Sequence, residues 1–165
     1  MPASGSPAEA AGDYQVRRAG PADHEGVTRE LAAYFAFLGE DLDPHGLDHD
    51  VTDWQGEYDG VAGVMLVVVD PAGEVVGTAA VRRLAPEVAE LKRMWIRPGA
   101  LGRGLGRLLI DRCFDEARAR GFRAVRLDTE SRMDRAIHLY RSSGFTEIPD
   151  YNGNPRAQLW MERAV

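Results

Sequence analysis

Three glycines at alternate positions form the segment of this chain that is best suited to bind a ligand. Gly102, Gly104 and Gly106 follow a predicted strand and open a predicted helix. Glycine leaves the backbone N–H groups uncovered, and the first turn of a helix carries partial positive charge. The spacing therefore predicts a site for an anion such as a pyrophosphate, to which Arg103 and Arg107 would add charge.

The glycine spacing also restricts the class of phosphate site. No Gly-Lys-Ser or Gly-Lys-Thr follows, which excludes a Walker P-loop. The pattern G-x-G-x-G and the two antiparallel strands predicted before it both disfavour a dinucleotide-binding fold. Asp128, about twenty residues after Gly106, keeps that fold open as an alternative. A tight loop that binds no ligand is the other alternative.

Two side chains near this segment could transfer protons. Tyr140 lies on a predicted helix, and a phenol with a pKa of ~10 is protonated at neutral pH and can act as an acid. Glu90 lies on the strand predicted before the glycines, and its carboxylate can exchange protons. Period-two alternation places Glu90 on one face of that strand with Lys92, Met94 and Ile96. The structural alternatives are a buried ring for Tyr140 and an ion pair with a neighbouring cation for Glu90.

The other reactive side chains give weaker predictions. Cys113 lies on the apolar face of its helix and is predicted to belong to the core. His45 and His49 have helical spacing, but Pro44 interrupts the helix that would align them, so no metal site is predicted. The weaker candidates for the base are Glu130 and His138.

Length and composition indicate a single globular domain and no membrane-spanning segment. The chain has 165 residues, of which 44% are hydrophobic, and no apolar run reaches the ~20 residues that span a bilayer. Residues 1–12 lack the basic and apolar regions of a secretory signal and are predicted to be a disordered tail before a domain over residues 13–165. A single cysteine fits a reducing compartment, which predicts a cytoplasmic protein.

Charge is divided unevenly along the chain. Residues 1–81 contain three basic and fifteen acidic side chains, whereas residues 82–165 contain seventeen basic and eleven acidic ones. The glycines lie in the basic half, as an anion site should. Eight acids and no lysine or arginine lie between Glu40 and Asp59, which indicates either a solvated loop or a rim that attracts a cation. The net charge of −6 and the lack of a basic stripe argue against nucleic-acid binding.

The hydrophobic periodicity predicts a mixed α/β domain. Its sheet is expected to be largely antiparallel, with six or seven strands flanked by about four helices. The predicted strands are Gln15–Arg18, Val64–Asp70, Glu74–Arg83, Val88–Ile96, Ala124–Asp128, Phe145–Ile148 and Ala157–Glu162. The predicted helices are Pro21–Leu38, a short one around Val51–Tyr58, Gly104–Arg120 and Met133–Ser143.

Within this order of elements, two motifs resemble those of the GCN5-related N-acetyltransferase (GNAT) superfamily. The motifs are Arg103-Gly104-Leu105-Gly106 and Ala136-x-x-Leu139-Tyr140-x-x-x-Gly144-Phe145. The resemblance covers residues 14–163. It implies a fold in which the strand before the glycine turn splays from the next strand and leaves a V-shaped cleft.

The resemblance also implies an activity, namely transfer of an acetyl group from acetyl-CoA to an amine. The pantetheine arm would pair with exposed backbone at Met94, Trp95 and Ile96, and a backbone N–H near Trp95 or Ile96 would stabilise the oxyanion. Tyr140 would be the acid and Glu90 the base. The N–H groups expected to bind the pyrophosphate are those of Leu101, Gly102, Arg103, Gly104, Leu105, Gly106 and Arg107.

Two positions depart from the family pattern. Leu101 replaces the usual Gln or Arg, and Met133 replaces an Asn that many members have, so side-chain contacts at both positions are lost. The resemblance places the first helices and the turn-rich segment Tyr151–Pro155 near the mouth of the acceptor site. The acidic run, with Asp50 among its members, favours a cationic acceptor.

The expected reaction is direct transfer to the primary amine of a small molecule or an amino acid. Three rivals stay open: a protein acetyltransferase acting on lysine or an N-terminus, a non-catalytic acetyl-CoA-binding module, and a nucleotide-binding enzyme. No nucleic acid and no membrane is expected as a partner. A homodimer stays open as the oligomeric state.

Overall fold

The computed structural model describes residues 9–165, which form one eight-stranded sheet with helices on both faces. The strands are β1 Glu9–Ala11, β2 Tyr14–Arg18, β3 Gly63–Val69, β4 Val75–Ala85, β5 Val88–Ile96, β6 Ala124–Thr129, β7 Thr146–Ile148 and β8 Leu159–Ala164. The helices are α1 His24–Leu38, α2 His49–Thr52, α3 Trp54–Glu57, α4 Leu105–Ala119 and α5 Asp134–Ser142, with 3₁₀ turns at Pro21–Asp23 and Pro98–Ala100. Within the described residues, no helix is both long and apolar enough to span a bilayer.

The sheet is antiparallel except at one central pair of strands. Its order is β1-β2-β3-β4-β5-β6-β8-β7, and β5 and β6 run parallel. They pair only at their first residues, from Val88 opposite Ala124 to Glu90 opposite Arg126. Beyond Glu90 the two strands separate, whereas β5 stays paired with β4 as far as Ile96. This separation is the V-shaped cleft that the resemblance implies.

A β-bulge interrupts β5 next to the cleft. The pairing with β4 shifts between Thr78, opposite Trp95, and Ala80, opposite Lys92. Arg93 lies at this shift with φ +57°, and it is the one non-glycine residue with positive φ within the described part of the chain. The hydroxyl of Thr78 donates a hydrogen bond of 2.8 Å to the Arg93 carbonyl oxygen. The bulge adds one residue to β5 and changes which side chains share a face.

Two apolar clusters cover the two faces of the sheet. On one face α4 packs against alternate residues of β3 and β4, such as Leu66 and Val68. On the other face α1 and α3 pack against the intervening residues, such as Met65 and Val67. Every residue of β3 is therefore buried, as its continuous apolar sequence predicts. Glycine ends α1 and follows α4, where Gly39 and Gly121 have positive φ.

Most predicted elements are present, with bounds that agree within a few residues. The sheet has eight strands instead of six or seven, because Glu9–Ala11 pair with β2. The structure thus includes residues 9–11, which belong to the predicted disordered tail over residues 1–12, in a strand; residues 1–8 lie outside the described part, and the tail stays a prediction. The helix predicted around Val51–Tyr58 is two separate turns, α2 and α3.

Candidate active site

The glycine turn presents a run of free backbone donors. Gly102 and Gly104 have φ values of +81° and +74°, a conformation that favours glycine, and the first bond of α4 runs from the Leu108 N–H to the Gly104 carbonyl oxygen at 3.2 Å. No described group accepts a hydrogen bond from the six consecutive N–H groups of residues 102–107. Six free donors at a helix N-terminus form a cradle for an anion.

Leu101 and Leu105 contribute differently from the other predicted members of this cradle. The N–H of Leu101 already donates to the Pro98 carbonyl oxygen at 3.2 Å, so it is not a free donor. The side chain of Leu105 is buried in the core, so only its backbone faces the turn. The predicted anion site therefore begins at Gly102.

The two arginines of the turn already have contacts with the protein. The Arg103 guanidinium lies 5.3 Å from the ring centre of Tyr14. Arg107 donates to Asp111 at 3.3 Å and to the Ser142 carbonyl oxygen at 3.2 Å. Both side chains are exposed, so their charge adds to the positive field of the turn, although each is held by a neighbour.

Gly106 connects this turn to α5. A Cβ at Gly106 would lie 2.9 Å from Leu139 Cδ2 and 3.7 Å from Ile96 Cδ1. Absence of a side chain therefore lets α5 and the end of β5 approach the start of α4. This packing brings the glycine turn and the Tyr140 helix to the same end of the cleft.

The bulge reverses the predicted alternation along β5. Met94 and Ile96 pack on the α4 face of the sheet. Trp95 lies on the opposite face, where its Nε1–H donates to Glu30 at 3.0 Å. The prediction that Glu90 shares a face with Met94 and Ile96 is wrong, because the extra residue at the bulge shifts the alternation by one.

A cavity of about 330 Å³ lies between the separated ends of β5 and β6. Of the predicted site residues, Tyr140, Glu90 and Met94 line this cavity. Trp95, Ile96 and residues 101–107 do not line it, so the glycine turn lies outside the cavity. Its other walls come from α1, the segment before α2, β6 and the segment before β8. The polar residues of these walls are Tyr34, Glu40, Asp48, His49, Arg82, Lys92, Arg93, Asp128, Thr129, Glu130, Asn152, Asn154 and Arg156.

Tyr140 is buried at the cavity wall. Its ring packs edge-on against Phe145 at 5.8 Å, and no described residue forms a hydrogen bond with its hydroxyl. Burial raises the pKa of Tyr140 well above its usual value, and the nearby Tyr34 phenol raises it further. Burial likewise raises the pKa of Tyr34 to about 12. Both phenols are therefore protonated at neutral pH and can donate a hydrogen bond.

Glu90 is buried, and both of its carboxylate oxygens accept hydrogen bonds. Oε1 accepts from Arg82 Nε at 3.1 Å and Nη2 at 3.0 Å, and Oε2 accepts from the Tyr151 hydroxyl at 2.7 Å. Lys92 Nζ lies 3.8 Å from Oε1, which is too far for a hydrogen bond. The contacts with the protein occupy much of the capacity of Glu90 to accept a proton from an amine.

The two buried acids of the acidic run, Asp48 and Asp50, are paired with arginines. Asp50 is fully buried and accepts hydrogen bonds from Arg93 at 2.6 and 3.0 Å and from Tyr58 at 2.6 Å. The Arg93 and Tyr58 contacts lower the pKa of Asp50 to about 2, against the opposing effect of burial. Asp48 is buried too and accepts hydrogen bonds from Arg156 at 3.0 and 3.1 Å. Both acids form ion pairs within the protein. Asp50 is therefore not available to attract a cationic acceptor in the way that the sequence suggests.

Residues 150–157, here called the cover segment, close one side of the cavity. Tyr151 reaches Glu90 on β5, and Asn152 and Asn154 donate to Asp128 Oδ2 on β6 at 2.6 and 3.1 Å. Arg156 binds Asp48 before α2. The cover segment is thus attached to both separated strands and to the opposite wall.

The resemblance implies that Tyr151–Pro155, which is part of the cover segment, lies near the acceptor mouth, but the sequence does not reveal most of the charged pairs of the cavity. Arg93 and Asp50 are 43 positions apart, and Arg156 and Asp48 are 108 apart, so no local pattern reveals either pair. The other candidates lie elsewhere. His138 is exposed, Cys113 is fully buried, and no group of three or more His, Cys, Asp or Glu within residues 9–165 is arranged to hold a metal ion.

Comparison with known proteins agrees with this geometry. The model of the Acetyltransferase (GNAT) family matches residues 27–145. An uncharacterised N-acetyltransferase of Schizosaccharomyces pombe is 30% identical over 82% of this chain and 83% of its own length. An acetyltransferase of the GNAT family from Staphylococcus aureus, 16% identical, has a TM-score of 0.81 over 92% of this chain and 98% of that chain. A Salmonella typhimurium structure containing its cofactor acetyl-CoA, 22% identical, has a TM-score of 0.71 over 92% and 94%.

Proposed function

Because the chain belongs to the GNAT acetyltransferase family, whose members use acetyl-CoA as co-substrate, we propose that it acetylates the primary amine of a small molecule or an amino acid by direct transfer. The observation that carries this proposal is the Tyr140 hydroxyl. It has no hydrogen-bond partner within the described residues and faces a cavity of about 330 Å³ that is closed on one side.

The residues next to the cavity fit acetyl-CoA. The six free N–H groups of residues 102–107 suit a diphosphate, and no strand of the described residues pairs with the β5 backbone beyond Glu90 on the side of β6. Met94 connects the cavity with the glycine turn, because its side chain lines the cavity and packs near Gly106. When bound, acetyl-CoA supplies an acetyl group activated as a thioester.

The protein groups divide the chemistry between them. Tyr140 keeps its proton because burial raises its pKa, so its hydroxyl is the proposed proton donor to the leaving sulfur. Backbone N–H groups of Trp95 or Ile96 are the proposed donors to the developing oxyanion. Glu90 stays the predicted base, and Asp128 is the competing carboxylate because no described group donates to its Oδ1.

The cover segment supports a small acceptor over a peptide. A peptide needs an open groove, whereas Tyr151, Asn152 and Arg156 fasten the cover segment to three different walls of the cavity. Cys113 supports direct transfer, because the only thiol of the chain is fully buried and burial raises its pKa strongly. A buried protonated thiol is a poor acyl carrier.

A panel of primary amines with acetyl-CoA, followed by the release of free CoA thiol, tests this function. We expect turnover of at least one small amine or amino acid, with initial rates that fit a sequential mechanism. A lysine-containing peptide is the matched acceptor. Turnover of the peptide alone would support a protein acetyltransferase instead, and acetyl-CoA binding without any turnover would support a binding module.

The compartment and the oligomeric state of the protein can also be tested. The lone cysteine fits a reducing compartment, so we place the protein in the cytoplasm. Fractionation of cells that express the chain would contradict this if the protein were exported. Sedimentation of the purified chain would distinguish a monomer from a homodimer.

A further inference from the structure

One cation of the cavity has no hydrogen-bond partner among residues 9–165. Lys92 lines the cavity, its side chain is 15% exposed, and none of the described residues accepts a hydrogen bond from its Nζ. The nearest carboxylate oxygen, Glu90 Oε1, lies 3.8 Å away. A buried ammonium has three donors, and leaving them without acceptors is costly.

The other cations at the cavity wall are already bound to carboxylates. Arg82 donates to Glu90, Arg93 to Asp50 and Arg156 to Asp48. Each of these pairs has at least two donated hydrogen bonds. Among the described lysine and arginine side chains of the cavity wall, Lys92 is the exception, because it lies at ion-pair distance from Glu90 and donates no hydrogen bond to a carboxylate.

Glu90 does not compensate Lys92 fully. Its Oε1 accepts two bonds from Arg82 and its Oε2 accepts one from Tyr151, so the group of Arg82, Lys92 and Glu90 carries one net positive charge. Burial and the two neighbouring arginines lower the pKa of Lys92, while Glu90 and Asp128 oppose this effect. An anion placed next to Nζ would supply both the missing acceptors and the missing charge.

The β6 side of the cavity has the opposite character. Asp128 and Glu130 line it, and no described group donates to Asp128 Oδ1. A free cation donor and a free carboxylate oxygen in one small cavity complement a molecule that carries both signs of charge.

We propose that the acceptor carries a carboxylate next to its amine, as an amino acid does, and that Lys92 Nζ binds this carboxylate. This inference rests on the proposed acetylation of a small amine and names the chemical class of that amine. The acceptor amine then lies towards Asp128 and Tyr140, and the cover segment encloses the molecule.

Pairs of amino acids and their carboxamides test the inference. Both members of a pair have the same side chain and an α-amine, and only the acid has a carboxylate. The measurement is kcat/KM for CoA release with each member, taken for the wild type, Lys92→Met and Lys92→Arg. For each enzyme variant, kcat/KM for the acid is divided by kcat/KM for its amide. The wild type and the variants are then compared by this ratio, so that the difference in basicity between the two amines cancels.

We expect Lys92→Met to lower this ratio at least tenfold through a higher KM for the acid, and Lys92→Arg to retain most of it. Arg123→Met is the matched control, since it removes one positive charge at an exposed side chain that does not line the cavity. The control should leave the ratio unchanged. Thermal unfolding of each variant checks that the fold is retained.

Two outcomes separate the inference from the function on which it rests. Acetylation of acids and amides with a ratio that Lys92→Met does not change would overturn the carboxylate site and leave the proposed function standing. Absence of turnover with every acid and amide would overturn acetylation of amino acids, and the inference with it.

Discussion

The buried ion pair between Asp50 and Arg93 gives a prediction about stability that can be worked out from the structure. Asp50→Asn removes the charge and keeps the shape of the side chain. Removing one partner of a buried pair costs about 3–5 kcal/mol, because the other charge is left uncompensated. Asp48 lies 3.3 Å from Arg93 and still offers some compensation, so the loss should be about 3 kcal/mol, at the lower end of this range.

The same pair predicts how stability depends on pH. In the folded protein the pKa of Asp50 is lowered from 3.8 to about 2. The stabilisation is therefore complete above the unfolded pKa of 3.8 and is lost as the pH falls towards 2. Since one pKa unit corresponds to about 1.4 kcal/mol, the pH-dependent part amounts to about 2 kcal/mol. The difference in stability between the wild type and Asp50→Asn should fall at pH 2.5 to about half of its value at pH 7.

Urea unfolding followed by tryptophan fluorescence measures these differences, because Trp54 and Trp95 are both buried. The series runs from pH 7 to pH 2.5. Asp41→Asn is the matched control, since it makes the same chemical change at an exposed side chain in the same acidic run. The control should follow the wild type. A difference between wild type and Asp50→Asn that stays constant with pH, or that is below 0.5 kcal/mol at pH 7, would refute the reasoning.

The remaining predictions concern catalysis. Tyr140→Phe should lower kcat by about 10²-fold and change the KM for acetyl-CoA little, since it removes only the proton donor; steady-state kinetics with an unchanged kcat would exclude the acid role. Gly104→Val should raise the KM for acetyl-CoA on the order of tenfold, because a β-branched residue is strained at φ +74° and the free N–H groups would move; an unchanged KM would place the diphosphate elsewhere. Glu90→Gln should lower kcat by about 10²-fold, and the same loss in Asp128→Asn alone would assign the base to Asp128.

Local sequence patterns predicted the elements that carry the site. The bounds of β5, Val88–Ile96, agree with the prediction to the residue, because a proline lies close to each end and the strand has a clear apolar pattern. The glycine turn was predicted from residue types whose backbone properties are local. The splay followed from a resemblance to known proteins, since the separation of two strands leaves no trace in the periodicity of either.

The features that sequence did not predict depend on contacts between distant residues. The bulge at Arg93 is not marked by glycine, since the positive φ at an arginine is held by its side-chain bonds to Asp50 and by Thr78. Free and paired cations look identical in a sequence. Only the fold distinguishes Lys92, which has no hydrogen bond among the described residues, from Arg156, which binds Asp48.

The extra residue at the β5 bulge also has a consequence for how this enzyme can change during evolution. Upstream of the bulge, Glu90 and Lys92 face the cavity, and downstream of it Met94 and Ile96 face α4. Deleting one residue at the bulge would restore strict alternation and turn one of these two groups to the wrong side of the sheet. A deletion at this place therefore reorients one half of the strand, whereas a point substitution at Lys92 changes one side chain and leaves the orientation of both halves as it is.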